Sequence, residues 1–94
     1  MTKQFQCPAQ VHARRFENEV VVIHLGEGKY FSLDAVGSTI WDQLIAGKTP
    51  EETVAILLAE YDVNESAASA DVARLTDELL AAGLLERRPL ASGQ

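Results

Sequence analysis

The chain has 94 residues, of which 47% are hydrophobic and 23% are charged, and its formal net charge is −6. This composition is typical of one soluble domain with a single modest core, and no apolar run approaches the roughly 20 residues of a membrane helix. The excess of acids argues against a nucleic-acid partner, because binding to phosphate backbones draws most of its energy from Lys and Arg.

Residues that carry metal or catalytic chemistry are few and scattered. Cys7 is the single cysteine, and with His12 and His24 it supplies fewer soft ligands than structural zinc requires. No nucleophile–base pair, phosphate loop or pair of carboxylates stands out. We therefore expect no catalytic residue, no metal site and no cofactor. The N-terminus lacks the long apolar stretch of a signal peptide, so the expected location is the cytoplasm.

The first third of the chain predicts three strands. Residues 10–16 alternate imperfectly between apolar and polar, residues 19–25 hold a β-branched run, and residues 29–33 form a short aromatic strand. Residues 17–18 and 26–28 separate them as turns, the second helped by two glycines that allow positive φ angles. The pattern predicts an antiparallel meander.

The remaining two thirds predict three helices, each with its own capping signal. Asp34 is a good N-cap for the first helix, which ends at Gly47. Thr-Pro-Glu-Glu at residues 49–52 predicts a capping box at the start of the second. Asn64 caps a third helix that runs to about residue 82.

Strands followed by capped helices predict an α+β domain. We expect a winged helix-turn-helix-like fold, with a three-stranded antiparallel sheet followed by three helices. Residues 1–94 are predicted to form one domain, with an ordered core at about 10–86 and a polar tail at 87–94. Because the third strand is preceded by strands and followed only by helices, we expect it at the sheet edge. Such an edge can pair with an extended segment of another chain.

Several short motifs occur in a particular order along residues 10–86. They are Gly-Lys-Tyr-Phe-Ser-Leu-Asp at 28–34, Val-Gly at 36–37, Ile-Trp at 40–41, Thr-Pro-Glu-Glu at 49–52, Tyr-Asp-Val at 61–63, Asp-Val at 71–72 and Leu-Leu-Ala-Ala-Gly-Leu-Leu at 79–85. In this order and spacing they resemble the PqqD-like family, which comprises small peptide chaperones of ribosomally made, modified peptides.

The resemblance implies a binding site for a peptide. The extended leader segment of a precursor peptide would add as a further antiparallel strand to the third strand, with its apolar side chains in a groove against the third helix. The implied peptide-binding residues are Lys29, Tyr30, Phe31, Ser32, Leu33, Asp71, Val72, Arg74, Leu75, Glu78 and Leu79.

The resemblance also implies an accessory role without a cofactor. Proteins of this kind hand the leader-bound precursor to a separate modifying enzyme, such as a radical enzyme or a leader protease. Both pyrroloquinoline quinone and lasso-peptide pathways use free-standing proteins of this length. The Gly-Lys-Tyr-Phe-Ser-Leu-Asp form looks closer to the generic or lasso type, and the pyrroloquinoline quinone type is the alternative.

The implied site residues have simpler alternatives. Phe31 and Leu33 are expected mainly in the core, and Tyr30 either covers the outside of the sheet or lines a partner pocket. The apolar face of the third helix can simply close the core, and its charged residues can pair along the helix.

A winged-helix DNA-binding regulator is the alternative function. The third helix would then enter the major groove. However, residues 64–82 carry four acids and one arginine, a net charge of −3, whereas recognition helices need Arg, Lys, Asn or Gln. We therefore favour peptide binding, with no nucleic-acid or membrane partner. An unpaired edge also predicts a monomer–dimer mixture.

Overall fold

The computed structural model describes residues 5–87. Within them the elements are β1 Phe5–Gln6, β2 Val11–Phe16, β3 Glu19–His24, β4 Lys29–Leu33, α1 Ala35–Ala46, α2 Pro50–Glu60, α3 Glu65–Ala81 and β5 Glu86–Arg87. The predicted α+β architecture, a three-stranded antiparallel sheet followed by three helices, is confirmed. None of the helices in this part of the chain has both the length and the apolar character needed to cross a membrane.

The main sheet is a meander with the strand order β2-β3-β4, and both strand pairs are antiparallel. Its central strand places Val22 opposite Phe31 and Ile23 opposite Tyr30. Because side chains alternate along a strand, Val22 lies on the inner face, where it is fully buried. Tyr30 lies on the outer face and is 69% exposed, so it covers the outside of the sheet.

The predicted helix starts are all confirmed. The side chains of Asp34 and Asn64 each accept a hydrogen bond from the backbone N–H three residues later, at 2.8 and 2.7 Å. Thr49 and Glu52 form the predicted reciprocal capping box. Helix α1 ends at Gly47, whose φ of 102° is a left-handed conformation that glycine adopts without strain.

The hydrophobic core lies between the inner face of the main sheet and the three helices. Its buried side chains include Val20, Val22, Leu33, Ile40, Trp41, Leu44, Leu57, Ala68, Val72 and Leu79. The Tyr61 hydroxyl lies 2.9 Å from the Thr39 hydroxyl and ties the end of α2 to the first half of α1. Each helix is therefore held both by packing and by its caps.

A second sheet joins the two ends of the described chain, and the sequence analysis did not anticipate it. β1 pairs antiparallel with β5, with Phe5 opposite Arg87. Phe5 is only 2% exposed, although it lies outside the predicted core of residues 10–86. Arg87 belongs to a strand and not to the predicted tail, and its guanidinium carbon lies 5.3 Å from the centre of the Phe5 ring. Residues 88–94 of that tail lie outside the described residues.

Candidate functional site

The free side of β4 is the first component of the candidate site. β4 pairs with β3 on one side, and no strand within residues 5–87 pairs with its other side. The ribbon formed by β1 and β5 is a separate sheet and does not pair with this edge. The predicted edge position of the third strand is therefore confirmed.

Two sets of hydrogen bonds reveal the direction of the backbone groups in this sheet. The N–H of Leu25 donates to the carbonyl of Gln10 at 2.8 Å. Because hydrogen-bonded pairs alternate along an antiparallel ladder, the odd-numbered residues of β3 direct their N–H and C=O groups to β2. The even-numbered residues of β3 direct theirs to β4. At the end of the β3–β4 ladder, the Val20 N–H donates to the Ser38 hydroxyl at 2.8 Å. That hydroxyl donates in turn to the Leu33 carbonyl at 3.1 Å. Val20 and Leu33 thus face each other, as this alternation requires.

The open backbone groups of β4 follow from this alternation. Phe31 lies opposite Val22 and directs its N–H and C=O towards β3. Tyr30 and Ser32, one residue to either side, direct their N–H and C=O groups away from the sheet. An added strand can therefore exchange hydrogen bonds with two residues of this edge, and not with all five.

A groove of about 500 Å³ adjoins the edge, which lies within the roughly 300–1,000 Å³ typical of ligand pockets. Part of its lining comes from β4 and the first turns of α1. The rest comes from α3 and from Val63, the residue before the α3 N-cap. The lining residues are Phe31, Ser32, Leu33, Asp34, Val36, Gly37, Ile40, Val63, Asp71, Arg74, Leu75 and Glu78. Six of these twelve residues have apolar side chains and five have polar or charged ones, so the groove can hold an apolar guest side chain next to charged groups.

Charged side chains of α3 line the same groove. The Arg74 guanidinium lies 3.4 Å from a carboxylate oxygen of Asp71 and 3.6 Å from one of Glu78. All three side chains are about half exposed, and ion pairs of this kind are worth roughly 0–1 kcal/mol. Arg74 can therefore exchange these partners for groups on a guest at little cost.

Lys29 has its own partner at the start of β4. Its ammonium group lies 2.8 Å from a carboxylate oxygen of Glu27. The hydrogen bond from Lys29, followed by its charge and by that of His24, lowers the pKa of Glu27. This exposed pair lies at the turn that leads into the edge strand.

Comparison with known proteins identifies the family. The family model of coenzyme PQQ synthesis protein D, PqqD, matches residues 19–85, which hold β3, β4 and all three helices. The chain belongs to the PqqD family. Among curated proteins, no sequence matches the chain.

Two solved structures share the fold of this PqqD-family chain. TbiB1, solved in complex with the TbiA(beta) leader peptide, is 41% identical with a TM-score of 0.80, over 86% of this chain and 94% of that one. A lasso peptide synthetase B1, complexed with the leader peptide, is 23% identical with a TM-score of 0.82, over 88% of this chain and 98% of that one.

The structure divides the predicted site residues into three groups. Those that line the groove are Phe31, Ser32, Leu33, Asp71, Arg74, Leu75 and Glu78. Lys29 and Tyr30 belong to the edge strand but not to the groove. Val72 and Leu79, which are 1% and 0% exposed, point into the core and do not line the groove. The apolar stripe of α3 mainly faces the core, and only its margin at Leu75 reaches the groove.

The groove also contains residues that the sequence analysis did not assign to the site. Val36 and Ile40 belong to the apolar side of α1, Val63 precedes the α3 cap, and Gly37 is buried beside Leu33. A Cβ atom at Gly37 would lie 3.4 Å from the Leu33 Cβ and 3.2 Å from a carboxylate oxygen of Asp34. In the sequence, the only indication of this close contact between α1 and Leu33 was the glycine in the first turn of the predicted helix.

The candidate metal ligands are not assembled. Cys7 donates its thiol hydrogen to the Val11 carbonyl, with a sulfur–oxygen distance of 3.3 Å, and His24 accepts from the Glu27 N–H at 3.1 Å. Within residues 5–87, no three His, Cys, Asp or Glu side chains lie close enough together to hold a metal ion.

Proposed function

We propose that this protein binds the leader segment of a ribosomally made precursor peptide as a fourth strand of the main sheet. The observation that carries the proposal is the free edge of β4 next to a groove against α3. The leader complex of TbiB1, a protein 41% identical over most of both chains, supports it.

The ladder specifies how the leader would lie. Its residues opposite Tyr30 and Ser32 would each exchange hydrogen bonds with β4 and direct their side chains to the outer face. The leader residue between them, opposite Phe31, would direct its side chain into the groove. Leader recognition thus needs backbone groups at alternate positions and one well-fitting side chain at the position between them.

Magnitudes indicate which of these contacts sets the affinity. Each main-chain hydrogen bond nets about 0.5–1.5 kcal/mol, whereas burying one large apolar side chain contributes about 1.5–3 kcal/mol. Ordering a flexible leader opposes both. The groove-filling side chain therefore dominates the affinity, and the ladder sets direction and register.

A titration of the isotope-labelled protein with the precursor leader tests the proposal. Backbone amide shifts are expected at Tyr30, Ser32 and the groove-lining residues of α3, and a leader of scrambled sequence should cause none. Unchanged spectra of β4 and α3 at saturating leader would refute leader capture.

The protein would act as an accessory chaperone in the cytoplasm and not as an enzyme. It would present the leader-bound precursor to a separate modifying enzyme, a radical enzyme or a leader protease. We favour the lasso-peptide type of pathway over pyrroloquinoline quinone synthesis, supported by the fold likeness to a lasso peptide synthetase B1. Binding to duplex DNA through α3 gains no support, since the charged side chains that it exposes are three acids and one arginine.

A second copy of the chain could occupy the same free edge. We expect a monomer–dimer mixture in the absence of leader, because an unpaired edge strand invites pairing. Light scattering at several concentrations should show an average mass that rises with concentration and returns to the monomer value on addition of leader. A constant monomer mass would contradict this expectation.

A further inference from the structure

A second groove lies on the opposite side of α3 from the leader groove. Its volume is about 390 Å³, and it is formed by the start of α2, by α3 and by the ribbon of β1 and β5. Phe5 and Val72 line it although both are almost fully buried, and the half-buried Val54 contributes apolar surface. Neither the ladder of the main sheet nor the leader groove uses any of these three residues.

The α3 wall of this second groove is a slanted line of side chains. Glu65, Ser69, Ala73 and Asp77 follow one another at intervals of four residues, and all four are exposed. Residues at this spacing are neighbours on the helix surface and form a ridge inclined by about 26° to the helix axis. The line spans about 18 Å at 1.5 Å per residue, with small side chains in the middle and a carboxylate at each end. The small central residues allow another helix to approach closely.

The charge of the groove favours a cationic partner. Its lining has three acids, Glu51, Glu65 and Asp77, and a single base, Arg87. No cation within residues 5–87 lies within ion-pair distance of these three carboxylates. Glu51 and Glu65 stand in first turns, where the helix dipole stabilises acids. Asp77 stands near the C-terminal end of α3, where the dipole opposes a carboxylate.

We propose that this groove docks a basic amphipathic helix of a partner protein. The helix would place a large apolar side chain between α2 and α3, over Ala73, and a Lys or Arg near each end of the same face. Because α3 separates the two grooves, the helix and the leader can be bound together. That the partner is the enzyme receiving the precursor rests on the proposed function, whereas the docking site does not.

Two synthetic helical peptides test the site directly. Both are alanine-rich with a central tryptophan, and one has lysines near both ends of the tryptophan face where the other has glutamates. We expect the lysine peptide to bind at least tenfold more tightly and to shift the amides of Ser69 and Ala73 in the labelled protein. The amides of Tyr30 and Ser32 should not move, and saturating leader should change the affinity less than twofold.

A matched pair of variants locates the binding. Ala73→Arg fills the groove and adds a positive charge, so it should weaken lysine-peptide binding at least tenfold. Ala70→Arg makes the same change at an exposed α3 position outside the groove and should stay within twofold of the parent protein. Asp77→Asn should weaken binding of the lysine peptide severalfold and should not weaken binding of the glutamate peptide, because it removes an attraction from the first and a repulsion from the second.

Several outcomes would overturn the docking site. They are equal affinity of the two peptides, no binding of either, amide shifts at β4 instead of α3, or equal losses in the two arginine variants. Failure of the leader titration would refute leader capture but leave this site standing, so the two proposals fail separately.

Discussion

Ser38 lies where the β3–β4 ladder ends, beside the edge proposed to receive the leader. Its side chain is 2% exposed, and its hydroxyl accepts a hydrogen bond from the Val20 N–H and donates one to the Leu33 carbonyl. A buried backbone group without a partner costs about 1–3 kcal/mol. One hydroxyl thus stabilises the last pair of the ladder and keeps Leu33 in place at the groove.

Replacement of this hydroxyl should destabilise the fold. We predict that Ser38→Ala lowers the free energy of unfolding by about 1–3 kcal/mol, because two backbone groups each lose a buried hydrogen bond. Urea unfolding followed by the fluorescence of the buried Trp41 would measure the change. Ser66→Ala, at an exposed site, is the control and should change stability by less than about 0.5 kcal/mol. Equal stability of both variants would contradict the bridging role.

Cys7 should be a poorly reactive thiol. Burial first, and the charge of Glu86 second, raise its pKa, so less thiolate is present near neutral pH than in a free peptide. We predict slower alkylation by iodoacetamide at pH 8 than in the unfolded chain. Glu86→Gln should lower the Cys7 pKa towards its ordinary value and partly restore the rate.

The same shift has a defined effect on stability. The pKa of Cys7 is higher in the folded state than in the unfolded chain. The protonated thiol therefore contributes fully to the free energy of unfolding when the pH is below the pKa of the unfolded state. This contribution is lost as the pH rises through the pKa of the folded state. An alkylation rate in the folded protein equal to that of the unfolded chain would show that the thiol is not shielded.

At the scale of elements, β2 and β4 are both edges of the main sheet, but only β4 adjoins the leader groove. By the alternation of the ladder, Ser32 on β4 and Ala13 on β2 both direct their N–H groups away from β3. The same substitution at the two positions therefore separates the contribution of the leader edge from a general effect on the sheet.

A proline at each position makes this comparison. Ser32→Pro removes an outward donor without breaking the β3–β4 ladder, and its ring obstructs an added strand. We predict at least a tenfold loss of leader affinity by titration calorimetry. Ala13→Pro should change the affinity less than threefold. Similar losses in both variants would place the leader elsewhere.

At the scale of the whole molecule, the ribbon of β1 and β5 joins the two ends of the described chain. It seals one side of the core with Phe5 and forms a wall of the second groove with Arg87. A domain of this size has an unfolding free energy of roughly 5–15 kcal/mol. One fully buried aromatic side chain therefore makes up a large part of the stability.

Removal of the Phe5 ring tests this closure. We predict that Phe5→Ala lowers the free energy of unfolding by about 3–5 kcal/mol, as for other buried phenylalanines. Phe16→Ala removes the same ring from a position 60% exposed and should cost less than about 1 kcal/mol. Thermal unfolding of the two variants measures both changes, and a small effect at Phe5 would contradict closure by the ribbon.

Local chemistry made most of the fold predictable. The caps at Asp34, Thr49 and Asn64 act within three residues, so the sequence alone locates all three helix starts. The β-branched run of β3 is equally local. The ribbon of β1 and β5 was not predicted, for two reasons. Each strand has only two residues, which are too few for a periodic pattern. The paired residues are also about 80 positions apart in the sequence.

For the candidate site, the sequence by itself determined the edge strand, because the order of strands and helices leaves β4 with one neighbour. It also placed Asp71, Arg74 and Glu78 on one side of α3 through their helical spacing. Only the tertiary structure decided the groove, since Val36, Gly37, Ile40 and Val63 come from separate segments that meet through packing. The tertiary structure also shows that Val72 and Leu79 lie in the core and not in the groove. The direction in which an apolar stripe faces depends on which neighbours bury it, and spacing along one helix does not contain that information.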